Sequence, residues 1–424
     1  MSVYDDLVWR ELVVQVSDPV EIPKMLSIEG QLVYAGFDPS ASSLHIGHLV
    51  PLLAMRRFQL AGHKPIALIG GATGLIGDPG GRTTERTLNT KEVVAGCAEG
   101  IRLQIERIMD PTGSSAVRVV NNLDWFAPIT AIDFLRDVGK HFSVNTMITK
   151  ESVQSRLNRE DVGISYTEFS YMLLQAFDFL HLFKEYGCRL QMGATEQWGN
   201  MTAGIELVRR KLSERVYCLT SPLILNASGV KFGKSEAGAV WLDAELTSPY
   251  ALYQYFVNTD DRDVVNYLKY FTLLGQEEIR ELEHRSQAQP EQREAQRRLA
   301  YEVTTIVHGS SEADKVVAAS QALFGNHDLA EIDLKTLLSA VETAPTVMYG
   351  SVDAVPSLMT LVVEAKLVSS KSEARRQIES GGIYVNNSRI TDLDFKPTAS
   401  NLLHGKLILL RKGKRNYSVV RLGG

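Results

Sequence analysis

The sequence has 424 residues, of which 44% are hydrophobic and 22% charged, so roughly two to four globular domains are expected. No apolar stretch approaches the roughly 20 residues of a membrane helix, the N-terminus lacks a signal-peptide pattern, and three scattered cysteines argue against a zinc site or a disulfide framework. We therefore expect a cytoplasmic protein without a membrane partner. The net charge of −5 is uneven: residues 366–424 carry +8 and the remainder −13, which predicts a polyanionic partner for the tail.

The first part of the chain predicts a βαβ unit. The apolar run QLVYAGF (31–37) indicates a strand, apolar residues recur at helical spacing over 46–61, and PIALIGG (65–71) indicates a second buried strand. This order predicts a parallel sheet with a site at the carboxyl ends of its strands. Further strand-then-turn segments are expected at 118–126 and 188–194, and a long helix at 167–186.

His45-Ile46-Gly47-His48 follows the first predicted strand and opens the first helix. The two histidines, three residues apart, share one face of the first turn. Gly47 leaves room for a ligand to approach the backbone, and a helix N-terminus attracts phosphate. The segment therefore predicts a phosphate site, although a helix start with two incidental histidines would look the same.

Lys231-Phe232-Gly233-Lys234-Ser235 places two lysines around a glycine, which suits a loop that follows a pyrophosphate. A P-loop is excluded because position 228 is Ser and Gly229 comes one residue too late. The glycines of residues 70–77 do not form the dinucleotide fingerprint GxGxxG either.

The two segments together, HIGH and KFGKS, resemble the class I aminoacyl-tRNA synthetases, whose signatures are HIGH and KMSKS. The wider resemblance covers essentially the whole chain and is to the bacterial tyrosyl enzymes. The stretches that carry it are YAGFDPSASSLHIGHLVPLL (34–53), GGATGLIGDP (70–79), FLRDVGKHFSVN (134–145), FSYMLLQAFDF (169–179) and QWGN (197–200).

The resemblance implies an α/β fold with a Rossmann-like catalytic domain, an α-helical domain and a small α+β S4-like RNA-binding domain. The expected boundaries are 1–225 for the catalytic domain with inserted dimerisation helices, 226–325 for the KFGKS loop and the helical anticodon-arm domain, 326–352 for a linker, and 353–424 for the S4-like domain.

The resemblance also implies a tyrosine pocket. Tyr34 and Asp178 would hold the substrate phenol, because a buried hydroxyl needs partners and a carboxylate accepts its proton in a hydrogen bond. One carboxylate with neutral acceptors suits the substrate ammonium. The implied tyrosine-binding residues are Tyr34, Asp78, Tyr171, Gln175, Asp178 and Gln191.

The ATP site implied by the resemblance departs from the family at two places. The usual GGSDQWGN is GATEQWGN here, so Glu196 replaces an aspartate and Ala194 a glycine. Ala35 lacks the polar side chain that some relatives turn toward the ribose. The implied ATP-binding residues are Gly36, Asp38, Ser40, His45, Gly47, His48, Gly193, Glu196, Gln197, Lys231, Lys234 and Ser235.

The implied reaction is attack of the tyrosine carboxylate on the α-phosphorus of ATP, with Mg²⁺ on the phosphates and no metal site on the protein. A carboxylate is already ionised at neutral pH, so catalysis comes from positioning and charge. Arg82 and Arg86 resemble a basic pair that closes over pyrophosphate. The implied catalytic residues are His45, His48, Lys231, Lys234, Arg82 and Arg86.

The basic tail, with KLVSSKSEARRQIESGGIYVNN, resembles an S4-type domain. The resemblance implies that this domain holds the tRNA and that the protein works as a homodimer. Cations on one side of a helix suit RNA phosphates. The implied residues that bind tRNA(Tyr) are Lys371, Arg375, Arg376, Lys412, Lys414 and Arg415.

Three alternatives stay open. A tryptophanyl-type synthetase has a similar core, but Tyr34 and Asp178 suit a phenol better than an indole. A small-molecule nucleotidylyltransferase would not need the basic tail. A catalytically inactive RNA-binding relative would not need an intact HIGH segment and both loop lysines.

Overall fold

The computed structural model describes residues 2–78, 88–150, 153–154, 157, 163–230, 232–235, 238–324, 328–342, 344–413 and 416–423. The chain forms two compact units. The first comprises Met1–Thr247 with Thr259–Leu299, and the second comprises Ser248–Asn258 with Ala300–Gly424.

The first unit is an α/β structure. Its strands are β1 (Gln15–Val16), β2 (Leu32–Phe37), β3 (Lys64–Ile69), β4 (Arg118–Asn121), β5 (Leu190–Ala194), β6 (Tyr217–Ser221), β7 (Lys234–Ser235) and β8 (Gly238–Ala239). Its helices before residue 247 are α1 (Val3–Trp9), α2 (Glu21–Leu26), α3 (Leu49–Leu60), α4 (Thr73–Ile76), α5 (Lys91–Ile108), α6 (Leu123–Phe126), α7 (Ala131–Asp137), α8 (Val144–Ile148), α9 (Tyr166–Tyr186) and α10 (Trp198–Leu212).

The later helices follow in both units. They are α11 (Pro249–Val257), α12 (Val264–Phe271), α13 (Gln276–Ala288), α14 (Glu294–His308), α15 (Ser310–Phe324), α16 (Leu334–Ala340), α17 (Leu358–Glu364) and α18 (Lys371–Glu379). Helices α12 and α13 belong to the first unit, and α11 and α15 to α18 belong to the second.

Six strands of the first unit form one sheet in the order β1-β6-β5-β2-β3-β4. All neighbours pair in parallel except β1, which is antiparallel to β6. The predicted α/β class with a parallel sheet is therefore confirmed. The strand order reverses between β2 and β5, and in such sheets a crevice opens beyond the carboxyl ends of the strands at that point.

Helices α9 and α10 pack closely on the core of this sheet. Phe179 of α9 is fully buried in a cluster with Tyr34 and Leu207. Gly204 of α10 permits the close approach, because a Cβ there would lie 3.0 Å from Cδ1 of Phe179 and 3.6 Å from Cα of Ala176. The long helix that carries several candidate site residues is thus held tightly against its neighbour.

The second unit contains a five-stranded sheet with α17 and α18 on its apolar core. Its strands, in sheet order, are β11 (Ser388–Ile390), β10 (Ile383–Val385), β12 (Leu407–Lys412), β13 (Asn416–Leu422) and β9 (Thr346–Tyr349). An Asn-Asn hairpin joins β10 and β11, since Asn386 and Asn387 both have positive φ and Val385 pairs with Ser388.

The segment expected as a linker, 326–352, differs from the expectation. It contains helix α16 and strand β9, and β9 pairs in parallel with β13. A four-residue edge strand has too little alternation to be recognised in the sequence. The compact units also do not follow the expected boundaries at 225 and 325, because α11 packs with later helices of the second unit.

Across the described ranges, we find no helix that combines the length and the apolar character needed to cross a membrane.

We expect Gly204→Ala to lower the free energy of unfolding by about 1–3 kcal/mol, because the added methyl group meets the immobile ring of Phe179. Gly96, on an exposed face of α5, is the matched control because a Cβ there meets nothing within 4 Å. Gly96→Ala should raise the free energy of unfolding by about 0.5–1 kcal/mol. Urea unfolding at equal protein concentration measures both, and equal effects of the two changes would contradict the packing argument.

Candidate functional site

A cavity of about 360 Å³ opens at the carboxyl ends of β2 and β5, where the strand order reverses. The residues expected from sequence converge on it from β2, β5, α9 and the segments after β2, α4 and β5. Those that line it are Tyr34, Gly36, Asp38, Ser40, His45, Gly47, His48, Asp78, Tyr171, Gln175, Asp178, Gln191, Gly193, Glu196 and Gln197.

Asp178 is a buried carboxyl group of α9 that lines this cavity. Trp125 donates its indole N–H to Oδ1 at 2.9 Å, and the amide of Asn122 donates to Oδ2 at 3.1 Å. Burial raises the pKa of Asp178 to about 8, against the two hydrogen bonds, which lower it. The carboxyl is therefore held in place by neutral donors rather than by a cation.

A chain of hydrogen bonds continues from Asn122 toward the cavity mouth. Its amide also donates to the hydroxyl of Thr73 at 3.1 Å, and this hydroxyl donates to Oδ1 of Asp38 at 2.7 Å. Tyr171 donates its phenolic hydrogen to Oδ2 of Asp38 at 2.7 Å. Asp38 thus orients Tyr171, whereas the only role that the resemblance implied for Asp38 was a contact with ATP.

Tyr34 presents an isolated polar atom to the cavity. Its ring is buried against Phe179 with centroids 5.2 Å apart, and its Oη makes no hydrogen bond within the described part of the chain. Burial, and then the nearby carboxyl of Asp178, raises the pKa of Tyr34 well above its usual value. The hydroxyl therefore stays neutral and can both donate and accept.

Two glutamine side chains of the cavity are held by hydrogen bonds from neighbouring residues. Gln175 accepts a hydrogen bond from the Asn200 amide at 3.0 Å. Gln197 accepts from the backbone N–H of Ala194 at 3.0 Å. A Cβ at Gly193 would lie 2.6 Å from Oε1 of that glutamine, so a larger residue there would displace the Gln197 side chain. These hydrogen bonds orient the side chains of Gln175 and Gln197 in the cavity.

The two signature histidines bracket a single 3-10 turn, Ile46–His48. Nδ1 of His45 accepts from the N–H of Gly47, and Nδ1 of His48 accepts from the N–H of His45, both at 3.1 Å. Their rings lie 4.0 Å apart. Because both Nδ1 atoms accept, the proton of each neutral ring is assigned to Nε2.

The second signature lies against the first. Gly233 has φ +91°, and a Cβ there would come 3.3 Å from Cγ1 of Ile46. The backbone N–H of Val240 donates to the carbonyl of Gly233 at 3.1 Å, and that of Ile46 donates to the carbonyl of Val240 at 2.9 Å. The backbone therefore brings together two segments that are distant in sequence.

Five of the expected residues lie outside the described residues: Arg82, Arg86, Lys231, Lys414 and Arg415. The side chains of Lys234 and Ser235 are likewise not described.

In the second unit, three of the expected cations lie on the exposed face of α18. They are Lys371, Arg375 and Arg376, while Ala374 and Ile378 of the same helix face the core. Lys412 differs, because its ammonium pairs with Glu373 at 2.7 Å and helps hold the pKa of that carboxyl at about 2.

Sequence reasoning missed four residues of this site: Thr73, Asn122, Trp125 and Phe232. Asn122 directly follows β4 and Trp125 lies in the short helix α6 after it, at the edge where parallel sheets place functional side chains. That position was the available signal, since NNLDW follows a strand that was expected. Phe232 entered the predicted site only as a member of KFGKS, without a role, but it packs on two aromatic rings of α12.

Two family models match the chain. The model for tRNA synthetases class I (W and Y) matches residues 30–325. The model for the tyrosine–tRNA ligase SYY-like C-terminal domain matches residues 337–420.

Relatives match over the whole length. The chain is 50% identical to the tyrosine–tRNA ligase of Streptomyces griseus over 423 residues, covering 100% of this chain and 99% of the relative. It is 49% identical to that of Geobacillus stearothermophilus, covering 99% and 100%. A crystal structure of a C-terminally truncated mitochondrial tyrosyl-tRNA synthetase from Aspergillus nidulans is similar, with 30% identity, a TM-score of 0.69 and coverage of 76% of this chain and 94% of that one.

Proposed function

Because the chain belongs to the tyrosine–tRNA ligases, within the class I aminoacyl-tRNA synthetases, we propose that it activates L-tyrosine with ATP and transfers the tyrosyl group to the 3′ end of tRNA(Tyr). The first step forms a bond from a tyrosine carboxylate oxygen to the α-phosphorus and releases pyrophosphate. The second transfers the tyrosyl group to a terminal ribose hydroxyl of the tRNA and releases AMP.

The observation that carries this proposal is the pair of groups in the buried part of the cavity. Tyr34 offers a neutral hydroxyl and Asp178 a carboxyl, and both are buried. A substrate phenol supplies a hydroxyl that can pair with both groups, whereas phenylalanine leaves the buried hydroxyl of Tyr34 without a partner among the described residues. The ~10⁵ discrimination that the tyrosyl family shows against phenylalanine is the established example of this effect.

The substrate ammonium is proposed to meet Asp78, Tyr171 and Gln175. The hydroxyl hydrogen of Tyr171 is committed to Asp38, so its oxygen is left as an acceptor for the ammonium. Asp78 lines the same cavity and supplies the charge. A carboxylate together with neutral acceptors matches an ammonium group.

The nucleotide is proposed to bind at the two signatures. The Nε2–H groups of His45 and His48 would donate to phosphate oxygens at the start of the helix, where the partial charge is positive. Lys231, Lys234, Arg82 and Arg86 would add positive charge at the departing pyrophosphate. Gly36, Ser40, Gly47, Gly193, Glu196, Gln197 and Ser235 complete the proposed contacts to ATP.

Further features of the proposal follow the family. We propose that Mg²⁺ enters on the ATP phosphates and neutralises their charge, that the protein works as a cytoplasmic homodimer, and that the C-terminal domain holds the tRNA. Support for the last point is the exposed basic face of α18.

Amino-acid-dependent ATP–pyrophosphate exchange tests the proposed activation. With Mg²⁺ and ATP, we expect exchange with L-tyrosine and none above background with L-tryptophan or L-phenylalanine at equal concentration. Exchange with tryptophan would assign the pocket to the tryptophanyl type, and exchange with no amino acid would favour an inactive RNA-binding relative.

Tyrosine affinity is expected to depend on pH through Asp178. Burial raises the pKa of this carboxyl to about 8, so near neutral pH most of it is protonated in the free protein. The ionised carboxylate is the stronger acceptor for the substrate hydroxyl. The Kd for tyrosine should therefore fall as the pH rises toward the pKa, by up to about tenfold per pH unit, in equilibrium dialysis.

Asp178→Asn is the matched control for this dependence, because the amide does not ionise. Its affinity for tyrosine should be weaker than that of the wild type and flat over the same pH interval. A wild-type affinity that does not change with pH would contradict the proposed role of the carboxylate.

Simultaneous Lys371→Ala, Arg375→Ala and Arg376→Ala should lower kcat/KM for tRNA charging by about tenfold or more, because three phosphate contacts are lost. Tyrosine-dependent pyrophosphate exchange, measured on the same sample, should be unchanged, since the exposed face of α18 takes no part in activation. Unaltered charging would refute the proposed tRNA contact.

A further inference from the structure

Phe232 of the second signature is seated on α12 (Val264–Phe271). Its ring stacks on Phe271 with centroids 4.7 Å apart and meets Tyr267 edge-on at 4.8 Å. Phe232 and Phe271 are buried, so the seat is part of the core rather than a surface contact. Since Phe232 immediately precedes Gly233, its contacts with α12 anchor the second signature at this residue.

The carboxyl end of α12 is held by two buried arginines from other helices. Arg57 of α3 donates through Nη2 to the carbonyls of Lys269, at 3.1 Å, and Thr272. Arg10, which follows α1, donates to the same Lys269 carbonyl at 3.1 Å and to that of Leu274 at 2.6 Å. The carbonyls of Lys269 and Thr272 lie at the end of α12, where they lack partners within the helix and carry partial negative charge, and that of Leu274 lies in the loop that follows.

Arg57 connects this arrangement directly to the first signature. It lies on α3, the helix that follows His45-Ile46-Gly47-His48 without interruption. The Arg57 side chain thus joins α3, which follows the first signature, to α12, on which Phe232 of the second signature packs. Arg10 adds the N-terminal helix, and Asp6 lies between the two cations, 2.9 Å from Arg10 Nε and 3.7 Å from Arg57 Nε.

We propose that Arg57 and Arg10 are positioning residues for adenylate formation: they fix the end of α12, and with it the seat of Phe232, at a set distance from the HIGH turn. This inference rests on the proposed function. It extends the determinants of the ATP step to the N-terminal helix, outside both signatures and the cavity.

The energetics of Arg57 favour positioning over stabilisation. Its exposure is 5%, yet its Nε and Nη1 find no hydrogen-bond partner in the part of the chain that the structure describes. Burial, and the like charge of Arg10, lower the pKa of this guanidinium to about 9, so it remains charged at neutral pH. The desolvation of a buried ion pair offsets much of its attraction, so the pair with Asp6 is weak evidence for a gain in stability, whereas the carbonyl contacts of Arg57 fix a direction.

A double-mutant cycle between Arg57 and Phe232 in the full chain tests the proposal. The variants are Arg57→Met, Phe232→Leu and both together, and the readouts are the single-turnover rate constant for tyrosyl-adenylate formation and the Kd for tyrosine. Arg56→Met is the matched control, because Arg56 is the adjacent arginine of α3 and donates to Gln59 of the same helix.

Each single change is expected to lower the rate constant by about tenfold or more, with the tyrosine Kd altered by less than about twofold. The double variant should be no slower than the slower single variant, because both changes break one line of contact. Arg56→Met should react at the wild-type rate.

The proposal is overturned if Arg57→Met reacts at the wild-type rate, if the two effects multiply, or if the tyrosine Kd rises in proportion to the loss of rate. Should Arg57→Met fail to fold, Arg10→Lys decides, since it keeps the charge and loses the second contact to the α12 end; a wild-type rate would overturn the proposal. Failure of the proposed function is distinguishable, because the wild-type protein would then form no tyrosyl-adenylate.

Discussion

The buried carboxyl of Asp178 is the constraint on which the rest of the pocket depends. An acidic group in an apolar core must be neutralised or surrounded by donors. Here Asn122, directly after β4, and Trp125, in α6, supply the donors, and Asn122 also donates to Thr73. Within the described part of the chain, the donors to Asp178 are thus neutral side chains that follow β4, at the carboxyl edge of the parallel sheet.

Much of the first unit was predictable, and the reason is local. The strands at 31–37 and 65–71 and the helix between them have strong periodicity, and they are confirmed as β2, β3 and α3. The HIGH turn at the start of α3 was predictable because this segment follows a predicted strand. The residues for the cavity came from the resemblance, and the structure brings fifteen of them to one cavity.

What could not be predicted depends on contacts between distant segments. Asn122 and Asp178 are joined by a hydrogen bond that spans 56 residues of sequence, and no spacing rule relates a turn asparagine to a helical aspartate. Arg57 and Thr272 are joined over 215 residues. The helix and strand within 326–352 were missed because a short parallel edge strand gains its stability from β13 rather than from its own pattern.

The hydrogen bonds from Tyr171 through Asp38, Thr73 and Asn122 to Asp178 form one uninterrupted chain. Groups in such a chain polarise one another, and the effects of changing them do not add. Amino-acid selectivity is thus a property of this hydrogen-bond network as a whole, and the effects of substitutions within the network are epistatic. A lineage that acquired a different amino acid would have to exchange several members of the chain together, since most single steps leave a buried donor or acceptor unmatched.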